Sequence, residues 1–479
     1  MNIPKSNFSE WYNTIIKEAK LCDLRYNLKG FIVFMPWSVL TMEKMYSLYE
    51  KELQNTFHAP AWFPSLIPES NLKAEADHIK GFVPEVFWVT NAGENKLEEK
   101  YAMRPTSETA IYPMYSLWIS GLADLPLKVY QRAQVWRYET KATKPFIRSR
   151  EFYWIEAHNV FATQKEAFDQ VKEDMEITKK IIHQKFGVPF LFFKRPQWDK
   201  FAGADDTFAA DTLMPDGKTL QLPSTHMLGT NFSKPFNIKY MDSDGDSKYC
   251  YQTCYGPCIS RIYASLISTH GDDRGLMFPF ELAPLQIVIV PIFREENKAE
   301  ILSECKKIEK RLKEKYSVKL DDSSNTPGFK FNYWELLGVP IRIEIGKKEL
   351  AEKNVVLVRR DDKSKKKVSY EKIEMEIEKC SKEILSNLIQ KADQWFNSLL
   401  SDAEDMEKLI KILDKQGGFV KVPFCSDEKK SEKCADIIRE KTHGNVRGSL
   451  FESDKVPSGK KCIACRKDAT IYLYVARQY

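Results

Sequence analysis

The sequence predicts an α+β chain: a mostly antiparallel sheet with flanking helices, then a small α/β domain, then a small cysteine-bearing C-terminal domain. Three observations predict this order. Through the first 283 residues strand-like runs recur with few helices alternating between them, which favours antiparallel pairing. From Leu285 strand and helix alternate. Past the long charged helical run that follows lie Cys425, Cys434, Cys462 and Cys465. The shifts divide the chain into residues 1–283, 284–395 and 396–479, in keeping with a length of 479 residues and a prior of about 150 residues per domain.

In the first part, Asn7 to Leu21 reads as a helix, and a second helix covers Ser38 to Phe57. The Ala61 to Pro68 segment is extended, because Pro64 and Pro68 disfavour helix and suit a strand edge. Strands are predicted at Val83–Thr90, Leu127–Val135, Glu151–Val160, Phe190–Lys194 and Leu220–Ser224. Helices are predicted at Glu108–Gly121, Lys165–Phe186 and Ile262–His270. Thr106 or Ser107 suits the N-cap of the first of these, and Glu108 suits its first turn. In the second part, Leu285–Pro291 reads as a buried strand, Glu295–Tyr316 as an amphipathic helix and Ser317–Leu320 as a short strand. After a turn at Asn325–Gly328 come a helical stretch at Tyr333–Gly338, strands at Ile341–Ile345 and Asn354–Arg359, and a long helix over Tyr370–Lys391. Arg359-Arg360 and Lys363 to Lys367 read first as a solvated surface loop.

Composition excludes several classes. The apolar runs Phe31–Trp37 and Leu285–Phe293 are too short to span a bilayer, so no membrane is expected. The N-terminal residues lack a signal-peptide pattern, and ten cysteines then point to free thiols or metal ligands in a cytoplasmic protein. A balance of 73 Lys+Arg against 67 Asp+Glu is compatible with an RNA partner and decides nothing alone.

The most informative stretch is Val135 to His158. Two strand-like runs flank a basic loop, so a hairpin would gather Arg137, Glu139, Arg148 and Phe152 around one point. Guanidinium groups offer forked, permanent donors for phosphate oxygens, and a ring on the returning strand can stack on a base. The combination suits a nucleoside triphosphate held without a glycine-rich loop. Arg104-Pro-Thr-Ser-Glu108, Gln221-Leu-Pro-Ser-Thr-His226 and Tyr255-Gly-Pro-Cys-Ile-Ser-Arg261 supply further polar groups. Arg261, at the start of a helix, opposes the local dipole and needs a compensating anion or carboxylate.

In this order and spacing the chain resembles a class II aminoacyl-tRNA synthetase, and more closely the archaeal and eukaryotic type of prolyl-tRNA synthetase, over essentially its whole length. The second helix with Phe63-Pro64 resembles motif 1, Arg137 to Phe152 motif 2, and Tyr255 to Pro279 motif 3. Arg104 to Glu108 and Arg150-Glu-Phe-Tyr-Trp-x-Glu-x-His158 resemble the prolyl-type signatures.

The resemblance implies proline–tRNA ligase activity in a cytoplasmic homodimer, with ATP, L-proline and tRNA(Pro) as substrates and Mg²⁺ accompanying ATP. It implies that Arg137 and Arg261 act in catalysis, and that Glu139, Arg148, Phe152 and Gln221 join them in binding ATP. Thr106, Glu108, Arg137, Trp154, Glu156, His158, Phe201, Ser224 and His226 would form the proline pocket. A small apolar pocket discriminates poorly against alanine and cysteine. The residues between motifs 2 and 3 leave no room for a cis editing domain.

The second part resembles an anticodon-binding domain, implying that Glu335, Arg342, Lys348 and Glu349 read guanines of the anticodon. Cys462-Ile-Ala-Cys465 is a zinc knuckle by spacing, and with Cys425 and Cys434 it would make a closed structural Zn²⁺ site; His443 is a weaker candidate. In relatives a terminal tyrosine reaches toward the active site, as Tyr479 would here. The chain departs from the family pattern at Pro223, Ser224 and Thr230, and by one added residue near Pro257-Cys258. Other readings are another class IIa synthetase, of threonyl or glycyl type, or a catalytically silent RNA-binding relative. The Thr-Ser-Glu and Trp-x-Glu-x-His signatures oppose the first, and the intact arginines oppose the second.

Overall fold

A computed structural model describes residues 3–76, 85–138, 143–451 and 459–479, with side chains unassigned at 74–76. Glu139 and the start of the predicted Val83–Thr90 strand therefore lie outside the described residues. A single eleven-stranded sheet organises most of the rest. Its strands run, edge to edge, Leu400–Asp402, Phe419–Phe424, Ile471–Ala476, Asn445–Leu450, Leu191–Lys194, Asp206–Leu213, Thr219–Gly229, Tyr251–Gly256, Glu151–Phe161, Leu127–Trp136 and Ala59–Pro60. Pairing is parallel only at the two ends of this order and antiparallel between.

The predicted strands at Leu127–Val135 and Glu151–Val160 form a hairpin next to one edge of this order, in register from Leu127↔Val160 to Trp136↔Glu151. Asp206–Leu213 and Tyr251–Gly256 were not predicted. In the first, two alanines and two aspartates outnumber the β-branched Thr207 and Thr212, which weakens the strand signal. Yet it is buried on both faces, between its neighbours and the helix behind.

That helix, Gln164–Thr178, starts at a capping box in which Thr163 accepts from the Glu166 N–H and Glu166 reaches back. It passes into a π-helical turn at Lys179–His183, so the predicted continuous helix to Phe186 changes pitch. On the same face lie the helices Phe8–Glu18, Pro36–Asn55 and Ile259–His270, the last almost wholly buried. Trp11, Tyr12, Met45, Tyr49, Ile262 and Tyr263 share one core.

The tail does not stand apart. Asn445–Leu450 pairs with Leu191–Lys194 through Ser449↔Lys194 and Leu450↔Phe193, which joins the C-terminal strands to the main sheet. Between the two halves of this sheet in sequence lies a second, five-stranded one, ordered Val318–Leu320, Ile287–Pro291, Ile341–Ile345, Asn354–Arg359, Lys365–Ser369. The first three strands are parallel and the last two antiparallel, as a mixed sheet requires. Two segments correct the predicted solvated loop: Arg359 ends a strand and Arg360 is buried against Asp272, while Lys365–Ser369 is a strand whose lysines are exposed because they line a sheet edge, where charge discourages further pairing. The long helix runs Ile373–Ser398. Among the described residues no helix is long and apolar enough to cross a membrane.

Candidate active site

Alternation along the Glu151–Phe161 strand points Phe152, Trp154, Glu156 and His158 to one face. The neighbouring strands bring His158 opposite Cys254, and Cys254 opposite His226, so the rows meet. Above them is a cavity of about 650 Å³. The predicted residues Thr106, Glu108, Arg137, Arg148, Phe152 and Trp154 border it. So do Glu156, His158, Phe201, Gln221, Ser224, His226 and Arg261.

One end is aromatic and cationic. The Arg137 guanidinium carbon lies 5.3 Å from the Phe152 ring centroid and 5.6 Å from that of Trp154, and the two rings stand edge to face at 88°. Arg137 Nε donates to Pro105 O at 2.9 Å. Arg261 lies in the first turn of its helix, and the partners seen among the described residues are two neutral carbonyl oxygens, not the carboxylate or anion its position calls for. It donates to Gln221 O at 3.3 Å and to Ile147 O at 3.4 Å, long contacts by hydrogen-bond standards.

The other end is a buried polar nest. Thr106 Oγ1 donates to Glu108 Oε2 at 2.5 Å. Ser107 occupies the predicted N-cap position, but its hydroxyl donates to Glu156 and not to its own helix. Gln131 Nε2 adds a 2.7 Å bond to the same Glu156 oxygen. His158 Nε2 lies 3.2 Å from Glu156 Oε2, and Tyr112 reaches its Nδ1 at 3.0 Å.

Burial alone would lift the Glu156 carboxyl and lower the His158 imidazole. The pairing reverses both: His158, Ser107 and Arg104 hold Glu156 below its ordinary value, and Glu156 and Glu108 hold His158 above its own. His226 goes the other way, depressed to about 3 by burial and by the nearby Arg195 and His158 charges. It is therefore a neutral ring between two hydroxyls, Thr207 Oγ1 at 2.9 Å and Ser224 Oγ at 3.0 Å. Phe201 packs on it at 4.9 Å. The Trp154 indole N–H is buried with no acceptor among the described residues.

Sequence reasoning missed Arg195, Asp199 and Arg447, which also border the cavity. A strand-end Arg-Pro at 195–196 was the one available signal. Tyr479 reaches the cavity too; its hydroxyl donates to Asp216 Oδ2 at 2.7 Å and Lys144 Nζ sits 4.7 Å from its ring.

A second cavity, of about 210 Å³, borders Glu335 and Arg342. Arg342 is not a surface residue; at 8% exposure it bridges Glu335 Oε1 at 3.2 Å and Glu344 Oε1 at 2.9 Å. Arg274, from the first part of the chain, holds the other Glu335 oxygen at 3.1 Å. Lys348 and Glu349 do not border this cavity, and Glu349 accepts from Gly346 N at 3.1 Å as a helix cap.

The four cysteines converge. Their sulfurs all lie within 4.8 Å of one another, with Cys425 and Cys434 3.7 Å apart. A tetrahedral ion with metal–sulfur bonds near 2.3 Å needs edges of roughly 3.8 Å, so this donor set fits a thiolate-bound ion. His443 is the left-handed C-cap of the Glu432–Thr442 helix and is not in the cluster.

The antiparallel sheet, the arginine-rich cavity on its face and the appended mixed α/β sheet define a class II aminoacyl-tRNA synthetase. Family profiles agree: "tRNA synthetase class II core domain (G, H, P, S and T)" matches residues 87–270, "Anticodon binding domain" 286–380, and "Prolyl-tRNA synthetase, C-terminal" 406–479. The proline–tRNA ligase of Thermofilum pendens is 48% identical over 99% of this chain and 98% of its own, and that of Methanococcoides burtonii is 43% identical over the same shares. A Giardia lamblia prolyl-tRNA synthetase solved with prolyl-adenylate superposes with a TM-score of 0.95, at 34% identity and 99% coverage of both chains. One from Cryptosporidium parvum, complexed with halofuginone and AMPPNP, gives 0.93 at 32% identity, covering 100% of this chain and 99% of its own. The chain belongs to the prolyl-tRNA synthetase family.

Proposed function

We propose that this protein is a proline–tRNA ligase that joins proline to ATP as prolyl-adenylate and then passes the prolyl group to the 3′ end of tRNA(Pro). The observation that carries the reading is the meeting, in one cavity, of a guanidinium-and-aromatic end with a buried carboxylate nest. Arg137 lies where it can hold both the proline carboxylate and the α-phosphate. Phe152 offers a face to adenine and Glu139 an acceptor for its amino group. Arg148 and Arg261 take the outer phosphates, and Gln221 lies beside them. A Mg²⁺ ion bound with the triphosphate shares its charge. Thr106 and Glu108 accept from the secondary ammonium. Trp154 and Phe201 pack on the ring, and Glu156, His158, Ser224 and His226 close the pocket.

The proline carboxylate is ionised at neutral pH, so no general base is needed for its in-line attack on the α-phosphorus. Pyrophosphate leaves, and the rate comes from positioning and from stabilising the transition-state charge. In the second step a terminal tRNA hydroxyl attacks the mixed anhydride and AMP departs. Glu335 and Arg342 read an anticodon guanine, and Lys348 and Glu349, outside that cavity, contribute to the same recognition. The cysteine cluster holds a structural Zn²⁺. Phe57 and Trp62, each 89% exposed, mark a face suited to a second copy of the chain in the cytoplasm.

ATP–pyrophosphate exchange tests the reading. Exchange is expected with proline, and weakly with alanine and cysteine. Exchange driven by threonine or glycine but not proline would move the chain to another class IIa specificity, and none at all would favour a silent RNA-binding role. Ala-tRNA should persist in the enzyme's presence; its hydrolysis would reveal an editing activity.

A further inference from the structure

We infer that Arg447, in the C-terminal part of the chain, is a positioning residue for the activation step, acting on the nucleotide side of the cavity through Asp211, Arg195 and Gln221. The inference rests on the reading of Gln221 as an ATP-side residue.

The four side chains form a continuous relay. Arg195 forks onto Asp211, with Nη1 2.9 Å from Oδ2 and Nη2 2.7 Å from Oδ1. Arg447 Nε donates to the same Oδ2 at 2.8 Å, so one carboxylate is held by two guanidiniums. Arg195 Nη1 also donates to the Arg447 carbonyl at 2.7 Å, and Arg447 Nη1 donates to Gln478 Oε1. Arg195, Asp211 and Arg447 are 2%, 0% and 5% exposed. Nothing in their local sequence requires this burial, and charges are rarely buried without a partner.

The backbone that presents Arg447 is tightly constrained. Gly448 has φ +126, and a Cβ there would lie 2.0 Å from Lys194 O. Only glycine lets the Asn445–Leu450 strand lie this close to Leu191–Lys194, and that contact delivers Arg447 to Asp211.

The far end of the relay touches the site. Arg195 Nη2 donates to Gln221 Oε1 at 3.0 Å. Arginine only donates, so it fixes which end of the Gln221 amide faces it. The carbonyl points to Arg195, and the NH₂ group is left for an acceptor on the cavity side, such as a phosphate or ribose oxygen. Gln221 O meanwhile accepts from Arg261 Nη1. The same residue thus links the buried relay to the arginine assigned to the outer phosphates.

The charge count suggests the variant to make. Two guanidiniums face Asp211, with Asp199 near enough to act on both. Without Arg447, Arg195 and Asp211 remain as a neutral pair, so Arg447→Met leaves no buried charge unpaired. Without Asp211, two cations would lose their partner.

The test uses the full chain in ATP–pyrophosphate exchange with proline, varying each substrate in turn. Arg447→Met is expected to raise KM for ATP about tenfold, the scale of one misdirected hydrogen bond, while KM for proline stays within twofold. Gln221→Ala should show the same split. The double variant should be no worse than Gln221→Ala alone, because Arg447 acts through Gln221. Arg447→Lys, which keeps the charge but not the fork, should fall between wild type and Arg447→Met, and it serves if the methionine variant does not fold. An unchanged KM for ATP in a folded variant overturns the inference. So do equal changes for both substrates, or additive effects in the double variant. Wild-type protein that shows no exchange with proline fails the functional reading itself, and the inference falls with it.

Discussion

His158 Nε2 lies 3.2 Å from Glu156 Oε2, and at 2% and 3% exposure the two form a buried carboxylate–imidazole pair on the floor of the cavity, in which each favours the charged form of the other. Removing one partner strands the other charge away from water. His158→Ala is expected to cost about 3–5 kcal/mol of stability, read as a shift of the urea midpoint at constant slope. Glu156→Gln with His158→Gln, which removes both charges, should cost less than His158→Ala alone. Both proteins should bind proline more weakly than wild type, by isothermal titration.

The buried histidines set the response to acid. Burial, aided by nearby cations, holds His58 and His226 to about 3 and His270 to about 4, against an unfolded value of 6.5. Between pH 6.5 and 4 the unfolded chain therefore binds three protons that the folded chain refuses. Burial lifts Asp174 to about 7 against 3.8 unfolded, so there the folded chain keeps one proton that the unfolded chain has lost. The histidines prevail, and stability should fall by about 2–3 kcal/mol per pH unit as pH drops through this window. His158 acts on the opposite side: its raised value gives stability that is complete below pH 6.5 and lost as pH rises through the folded value. A maximum near pH 6.5–7 is expected. Urea melts across pH 4–9 that show no loss below pH 6 would contradict the assignment of neutral buried rings.

Phe152 and Trp154 stand edge to face on one strand, both beside Arg137, and the proposed function assigns them to different substrates. Phe152→Ala should raise KM for ATP by about five- to 150-fold, the range of about 1–3 kcal/mol for base stacking, with little change for proline. Trp154→Ala should do the reverse. Exchange kinetics in which both variants damage the same substrate would show that the two rings have been assigned wrongly.

The cysteine cluster predicts a stoichiometric metal. Fresh protein should carry about one zinc per chain by atomic emission, and Cys462→Ser should lose it. Because the C-terminal strands join the main sheet through Asn445–Leu450, metal loss should also lower the melting temperature of the whole chain. A separate low-temperature transition would mean that the tail unfolds on its own.

Trp62 exposes 89% of its surface beside Phe63, which is 8% exposed and packs against Trp118. Trp62→Glu should convert a dimer to monomers in sedimentation velocity. Wild-type protein that sediments as a monomer at micromolar concentration would remove the dimer from the reading.

Much of the site was legible before any coordinates. Period-two alternation aligned Phe152, Trp154, Glu156 and His158, and the flanking strands located their hairpin. The Cys462–Cys465 spacing signalled a metal knuckle. Misreadings occurred where local composition and tertiary role diverge. Lys365–Ser369 is lysine-rich because it is an edge, and Asp206–Leu213 has weak strand propensity yet lies inside the sheet. Ser107 has the right chemistry for a cap but spends its hydroxyl on Glu156, 49 residues away.

The sequence by itself pointed to the sheet class and to the hairpin that carries Arg137 and Phe152, because strand patterning and motif spacing are local properties, while the resemblance to a family implied the other side chains that border the cavity. Tertiary structure alone decided which charges are buried together. Arg195, Asp211 and Arg447 are separated by 16 and 236 residues and share no pattern. They meet because one glycine lets a C-terminal strand join the catalytic sheet. Their charge is tolerated only in that arrangement, since burying a guanidinium requires a partner that the chain must bring from elsewhere.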